Sequence, residues 1–375
     1  MVTGPSSRAS DATSCVPLIQ PGHQDITLFF EGDRLYESML VDIAAARASI
    51  RLESYIFASD EIGWRFAEAL AERAAVGVNV RLHLDAAGFL SWGSGKLKSW
   101  MRNQGVKIRV FHRWQWRHPW RYNQRNHRKL LVIDDNKLYM GGFNIHRESS
   151  RNVFGAARWR DTHLCLNGTF AQLAGTLFDD FWKGKRRELP IEKHAVSILV
   201  PNFNRSCKQV LKCLYTDSFR RAQRSITLTT PYFVPDRHTQ KNLQAAAQRG
   251  VDVRLLVPRK NDQRLVQWAS RAAYAQLLDA GVRVYEYLPR MLHAKTAVVD
   301  GAWATVGTAN LDYRSLFVNH EIILVTRAPS FCERLDAQFR TDLEESEEIC
   351  TRQWTKRPWS AHMAELIGWL ARRWL

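Results

Sequence analysis

One pattern occurs twice in this chain: His127-Arg128-Lys129-Leu130-Leu131-Val132-Ile133-Asp134 and His293-Ala294-Lys295-Thr296-Ala297-Val298-Val299-Asp300. Both read H-x-K-x4-D. After six intervening residues each Asp is followed by a G-x-x-N tail, Gly141-Gly142-Phe143-Asn144 in the first copy and Gly307-Thr308-Ala309-Asn310 in the second. Residues two apart on a strand share a face, so each copy presents a His beside a Lys. Two such pairs brought together supply a nucleophile, a proton donor and two fixed positive charges. That set attacks a phosphodiester without a metal. With 12 His in the chain, one copy arises by chance in roughly a few of every hundred such chains. Two copies with matching tails do not. A Lys buried on an apolar strand also asks for an anion to pair with it.

The repeat extends beyond the motifs. Ser49-Ile50-Arg51-Leu52-Glu53-Ser54-Tyr55-Ile56-Phe57 corresponds to Ser225-Ile226-Thr227-Leu228-Thr229-Thr230-Pro231-Tyr232-Phe233, and Gly77-Val78-Asn79-Val80-Arg81-Leu82 returns as Gly250-Val251-Asp252-Val253-Arg254-Leu255. Gly105-Val106-Lys107-Ile108 likewise returns as Gly281-Val282-Arg283-Val284. The period is too long for a solenoid. Val78, Val80, Leu82 and Leu84 alternate as a strand does, while Leu35, Met39 and Ile43, and Phe66 with Leu70, follow helical spacing. Each half therefore reads helix, strand, helix, strand, motif hairpin, with His and Lys on the strand. This predicts an α/β fold: a duplicated α/β sandwich, the copies packed about a pseudo-twofold axis around one active site. The expected divisions are a disordered stretch at 1–25, domains at 26–188 and 189–345, and an amphipathic helical segment at 346–375.

On this reading His127 attacks phosphorus, and a phosphohistidine forms as the first alcohol leaves. His293 acts as general acid and then general base; the symmetry of the repeat leaves the two roles exchangeable. Lys129 and Lys295 stabilise the phosphoryl oxygens, and Asn144 and Asn310 donate to them. Asp134 and Asp300 each lie an odd number of positions from their His, so they face away and read as turn residues. A nucleophilic imidazole needs a partner on its other nitrogen. Asp161 and Glu321, each at the head of a strand, are the candidates, and each is expected beside the His of its own half.

Lys plus Arg is 54 against 37 acids, a formal net charge of +17, which favours a polyanionic partner. Six Cys without close pairing point to free thiols in a reducing compartment. No Cys or His pair has zinc-ligand spacing, so neither metal nor other cofactor is expected. The segment 112–122 interleaves Trp114, Trp116 and Trp120 with cations. Such a segment sits at a lipid headgroup layer, packs on the domain, or stacks on bases. Near the C-terminus Met363, Leu366, Ile367, Leu370 and Trp374 form a helical stripe, read either as an interfacial helix or as one docked on the body.

With these residues in view the chain resembles the phospholipase D superfamily, and within it the bacterial cardiolipin synthases, from about residue 26 to 340. The specific pieces are Thr230-Pro231-Tyr232-Phe233-Val234-Pro235-Asp236, Leu292-His293-Ala294-Lys295, Asn310-Leu311-Asp312-Tyr313-Arg314-Ser315 with Asn319 and Glu321, and Trp159-Arg160-Asp161. The resemblance implies His127, Lys129, Asp134, His293, Lys295 and Asp300 as the active-site set. It implies phosphatidylglycerol as donor and acceptor, giving cardiolipin and glycerol, at the cytoplasmic face of the cell membrane. A lipid hydrolase is the alternative, and a nuclease a less favoured one, with nucleic acid the lesser candidate among polyanions. Two departures stand out. The chain looks like the shorter, peripheral class without N-terminal transmembrane helices, and Gly142 and Thr308 stand where the superfamily often has Ser.

Overall fold

The computed structural model describes residues 26–112, 116–117, 122–186, 195–202 and 205–371. The expected disorder at 1–25 and the residues at 187–194 lie outside these.

Two sheets carry the fold. The first holds seven strands in the spatial order Thr27–Phe29, His163–Asn167, Lys137–Gly141, Leu130–Ile133, Ser49–Ser54, Asn79–Asp85, Lys107–Phe111. The second repeats that order with Ser197–Pro201, Ile322–Thr326, Trp303–Gly307, Thr296–Val299, Ser225–Thr229, Asp252–Pro258, Arg283–Tyr287, and adds Ser346–Glu348 at the edge. The pairing senses match as well. Ser49–Ser54 and Asn79–Asp85 run parallel while Leu130–Ile133 pairs antiparallel, as do their counterparts. The outer strands Thr27–Phe29 and Ser197–Pro201 were not foreseen. Three residues in one case, and a run ending in Pro in the other, carry too little alternation to read as strands.

Each motif strand is buried on both faces, which explains its unbroken apolar run. Leu131 and Ile133 join the core beneath helices Gly32–Ala45 and Glu61–Ala75, whereas Leu130 and Val132 point into a different cluster. That second cluster belongs to both halves. Met140, Leu164 and Phe178 from the first pack with Val306, Leu324 and Phe331 from the second. Helices Thr169–Trp182 and Pro329–Glu344 supply part of this shared layer. The sheets thus meet face to face in the middle of the molecule, with the other helices outside.

One local expectation is corrected. The motif strands begin at Leu130 and Thr296, so His127, Lys129, His293 and Lys295 precede them in extended, non-ladder backbone. The reason lies in what those segments bond to.

Candidate active site

Each motif enters its strand alongside the other half of the chain. Asn126 forms an isolated parallel bridge with His320, and Leu292 forms one with Arg160. The His127 N–H donates to the His320 carbonyl (2.9 Å), and the His293 N–H donates to the Arg160 carbonyl (2.7 Å). Parallel pairing one residue earlier sets the next residues side by side: His127 with Glu321, and His293 with Asp161.

The side chains complete that crossing. His127 Nδ1 lies 3.0 and 3.1 Å from the two carboxylate oxygens of Glu321. His293 Nδ1 lies 2.5 Å from Asp161 Oδ2. Asp161 and Glu321 were expected beside the His of their own half; the structure corrects this, and each serves the opposite one. The carboxylates fix the tautomer, with the proton on Nδ1 and the lone pair on Nε2.

Burial and charge tune these groups. Burial lowers the His127 pKa, Glu321 opposes this, and Lys129 and Lys295 add to it. Burial followed by Lys295 lowers that of His293. Burial works against the Asp161 carboxylate, but Lys295 and His293 outweigh it and hold its pKa below the ordinary range. Glu321 is likewise held down by His127 and Lys129 against its burial. Burial, then repulsion from Lys295, brings Lys129 to about 7. Burial, opposed by Asp161 and Glu321, leaves Lys295 at about 8. Charges from both motifs act on one another, so the four groups share one field. Lys129 Nζ donates to the His127 carbonyl (2.8 Å), and Lys295 Nζ lies 2.8 Å from His293 Nδ1.

The remaining sequence candidates divide. Asn144 is buried near Lys129, its Oδ1 accepting from the Ile56 N–H at 3.1 Å, which sets the amide's orientation. Asn310 Nδ2 donates to Asp312 Oδ2 at 3.0 Å. Asp134 and Asp300 are not brought to the imidazoles. They sit in the turns beyond their strands at φ 50° and 54°. Asp134 accepts the N–H groups of Arg47, Ala48 and Ser49, and Asp300 those of Gln223, Arg224 and Ser225. With about 3.3 Å of rise per extended residue, seven residues put them on the order of 20 Å from their His. The turn role read from spacing describes their surroundings; the active-site role implied by resemblance does not. Of the Trp-rich segment His112, Trp116, Arg117 and Tyr122 are described, with the Trp116 indole 77% exposed and the Arg117 guanidinium 5.0 Å from its ring. Trp114 and Trp120 lie outside the described residues. Among the described residues no three of His, Cys, Asp and Glu converge to hold a metal ion.

A family model described as "Cardiolipin synthase, PLD-like domain" matches residues 39–178 and 215–343. The chain belongs to this family. Curated relatives include a probable cardiolipin synthase of Bacillus subtilis, 33% identical over 89% of this chain and 69% of its own length. A cardiolipin synthase of Geobacillus kaustophilus is 35% identical over 90% and 70% respectively. Among solved structures, a phosphatidylserine synthase of Haemophilus influenzae has a TM-score of 0.72 over 93% of this chain and 95% of its own, at 13% identity. At that identity the likeness is one of fold.

Several residues of this family member's site escaped sequence reasoning. The Tyr55 ring packs edge-on to His127, with centroids 5.1 Å apart, and Tyr232 stands 6.4 Å from His293. The repeat does not single them out, because in its register Tyr55 falls opposite Pro231 and Tyr232 opposite Ile56. Trp159, next to Arg160 and Asp161, lies 5.1 Å from the His293 ring. Asp85 accepts the Asn126 N–H at 2.8 Å and pins the approach to His127. Asn202 accepts the Glu321 N–H at 2.9 Å, and Ser315 Oγ donates to Glu321 Oε1 at 2.8 Å. Neither Asp85 nor Asn202 lies in a local pattern that announces it, whereas Ser315 falls in the segment from Asn310 to Ser315 that carries the resemblance.

Proposed function

We propose that the protein transfers a phosphatidyl group between phospholipids, with phosphatidylglycerol as donor and acceptor, cardiolipin and glycerol as products. The observation that carries this reading is the crossed pairing, in which each imidazole takes its carboxylate from the opposite half. Family membership supplies the lipid class.

Neutral His127 attacks the donor phosphorus through Nε2. The P–N bond forms as the P–O bond to glycerol breaks, and His293 gives its Nε2 proton to the departing alkoxide. The negative charge of the bound phosphodiester opposes the effect of Lys295 on His293 and favours the protonated form needed for that delivery. Glycerol leaves. His293, now neutral, takes the proton of a headgroup hydroxyl on a second phosphatidylglycerol, whose oxygen attacks phosphorus and breaks the P–N bond. Lys129 and Lys295 hold the phosphoryl oxygens through both steps, aided by Asn144 and Asn310. Asp161 and Glu321 orient the rings and stabilise their cationic forms. Asp134 and Asp300 act only through the fold. The net charge of +17 supports a peripheral position on the anionic cytoplasmic leaflet of the cell membrane.

The test is incubation with vesicles of labelled phosphatidylglycerol, followed by lipid mass analysis and rapid alkaline quench of the protein. Cardiolipin and glycerol are expected, with a labelled adduct at His127 that accumulates in His293→Ala and vanishes in His127→Ala. The reverse pattern would exchange the two roles. Phosphatidic acid without cardiolipin would make the protein a hydrolase, and nicking of plasmid DNA with lipid untouched would make it a nuclease.

A further inference from the structure

Helix Trp359–Ala371 is built the wrong way round for a helix surrounded by water. Its one buried residue is a glycine: Gly368, flanked by half-buried Ala361, Ala364 and Glu365, packs so closely on helix Arg264–Asp279 that an added Cβ would fall 2.4 Å from the Ala269 nitrogen. The opposite side carries Trp359, Met363, Leu366, Ile367 and Leu370 at spacings of three and four, all exposed, Trp359 at 77% and Leu370 at 63%. Proteins arranged for solvent bury such side chains and expose the small ones; this helix does the reverse.

Its position relates the stripe to the candidate site. Trp354 lies tilted against Tyr274, ring centroids 5.3 Å apart, while Gly368 sits against Trp268 and Ala269, so the C-terminal helix runs antiparallel to Arg264–Asp279. Its far end therefore approaches Leu265, itself 43% exposed. The residues just before that helix include Asp262, which accepts from the Tyr232 hydroxyl at 2.6 Å, and Tyr232 stands beside His293. The apolar stripe thus ends beside the residues that lead, through Asp262 and Tyr232, to His293. Exposed cations flank it, with Lys260 and Arg264 at the Leu265 end and Lys356 at the other. The acids nearby are engaged, Asp262 with Tyr232 and Glu365 with Arg357. Arg372 and Arg373 follow in the sequence.

We propose that this stripe, with Leu265, is the surface through which the protein lies on an anionic phospholipid bilayer, setting the Tyr232 side of the His293 site toward the headgroup layer. Large apolar side chains enter the acyl boundary, and the flanking cations meet lipid phosphates. The inference rests on the phosphatidyl-transfer reading for its substrate, and its test separates the two. Wild type and Leu366→Glu/Leu370→Glu are compared in three measurements: co-sedimentation with phosphatidylglycerol–phosphatidylethanolamine vesicles, turnover of vesicular phosphatidylglycerol, and turnover of short-chain phosphatidylglycerol dispersed as monomers. Vesicle binding and vesicular turnover should each fall at least tenfold, with monomeric turnover within twofold of wild type. Should the paired Glu variant not fold by circular dichroism, Leu366→Ser/Leu370→Ser gives the same comparison with a smaller effect. Vesicle binding within twofold of wild type in a folded variant overturns the proposal. So does a wild-type dimer that the substitutions dissociate while vesicle binding persists, since the stripe is then a subunit contact. Loss of vesicle binding with no turnover of either lipid by wild type would leave this surface standing and remove the transferase reading.

Discussion

Gly142 shows how far the crossed pairing reaches into single positions. An added Cβ there would lie 1.9 Å from Asp161 Oδ1, so the carboxylate that serves His293 occupies the space a larger residue would fill. In the other half Thr308 takes the corresponding place, its Oγ1 accepting from the Ile322 N–H at 3.0 Å beside the longer Glu321. Short acid with Gly and long acid with Thr are two solutions to one packing problem. The crossing is directly testable by histidine-selective NMR titration. Asp161→Asn removes a negative charge that raises the His293 pKa, so that imidazole should titrate lower still, while His127 stays within a few tenths of a unit. Glu321→Gln should do the reverse, and turnover in both should fall on the order of a hundredfold or more. If Asp161→Asn shifts His127 instead, the pairing is wrong. Sequence gave both acids but not their assignment. Asp161 is far closer in the chain to His127 than to His293, and only the long-range bridges Asn126 to His320 and Leu292 to Arg160 reverse that proximity. No local pattern encodes such a bridge.

At the scale of elements, the turn that closes each motif hairpin is held by one carboxylate. Asp134 and Asp300 adopt the left-handed backbone that Asp tolerates better than most residues, and each ties three N–H groups at the entry to the neighbouring strand. The parity argument from the sequence anticipated their direction, because a seven-residue offset along an extended chain is robust even where the ladder starts late. Asp134→Ala should cost roughly 1–3 kcal/mol, toward the lower end because the group is partly exposed to water, with turnover per folded molecule unchanged. Calorimetry and kinetics on the same preparation check it, and a loss of turnover with unchanged stability would return Asp134 to the chemistry. The hydrogen bonds hold its pKa below the ordinary carboxylate value despite burial. A depressed carboxylate pKa stabilises the fold above the unfolded-state value near 4 and loses that effect as pH falls through the lower, folded value. The difference between wild type and Asp134→Ala should therefore be full at pH 7 and shrink in acid.

For the whole molecule, duplication solves a problem that one copy cannot. A single half holds a His and a Lys, but its acid points at the other half, and the inner face of its sheet is apolar. The shared layer covers that face with Leu199, Val306 and Leu324 on one side and Met140, Leu164 and Phe178 on the other. Repeat spacing in the sequence revealed two like domains. It could not reveal that their inner faces form one core, because strand residues buried within a domain and between domains have the same composition. The consequence is thermodynamic: two halves joined through a common core unfold together. Leu324 is fully buried there, and Leu324→Ala should cost roughly 2–5 kcal/mol. The loss should appear as a downward shift of one calorimetric transition, with hydrogen exchange in Leu130–Ile133 of the opposite half accelerated by the same factor as in Thr296–Val299. Two resolved transitions, only one of them moved by the substitution, would mean that the halves are held together by the site alone. The crossed carboxylates would then carry the assembly as well as the chemistry, and Asp161→Asn would separate the halves.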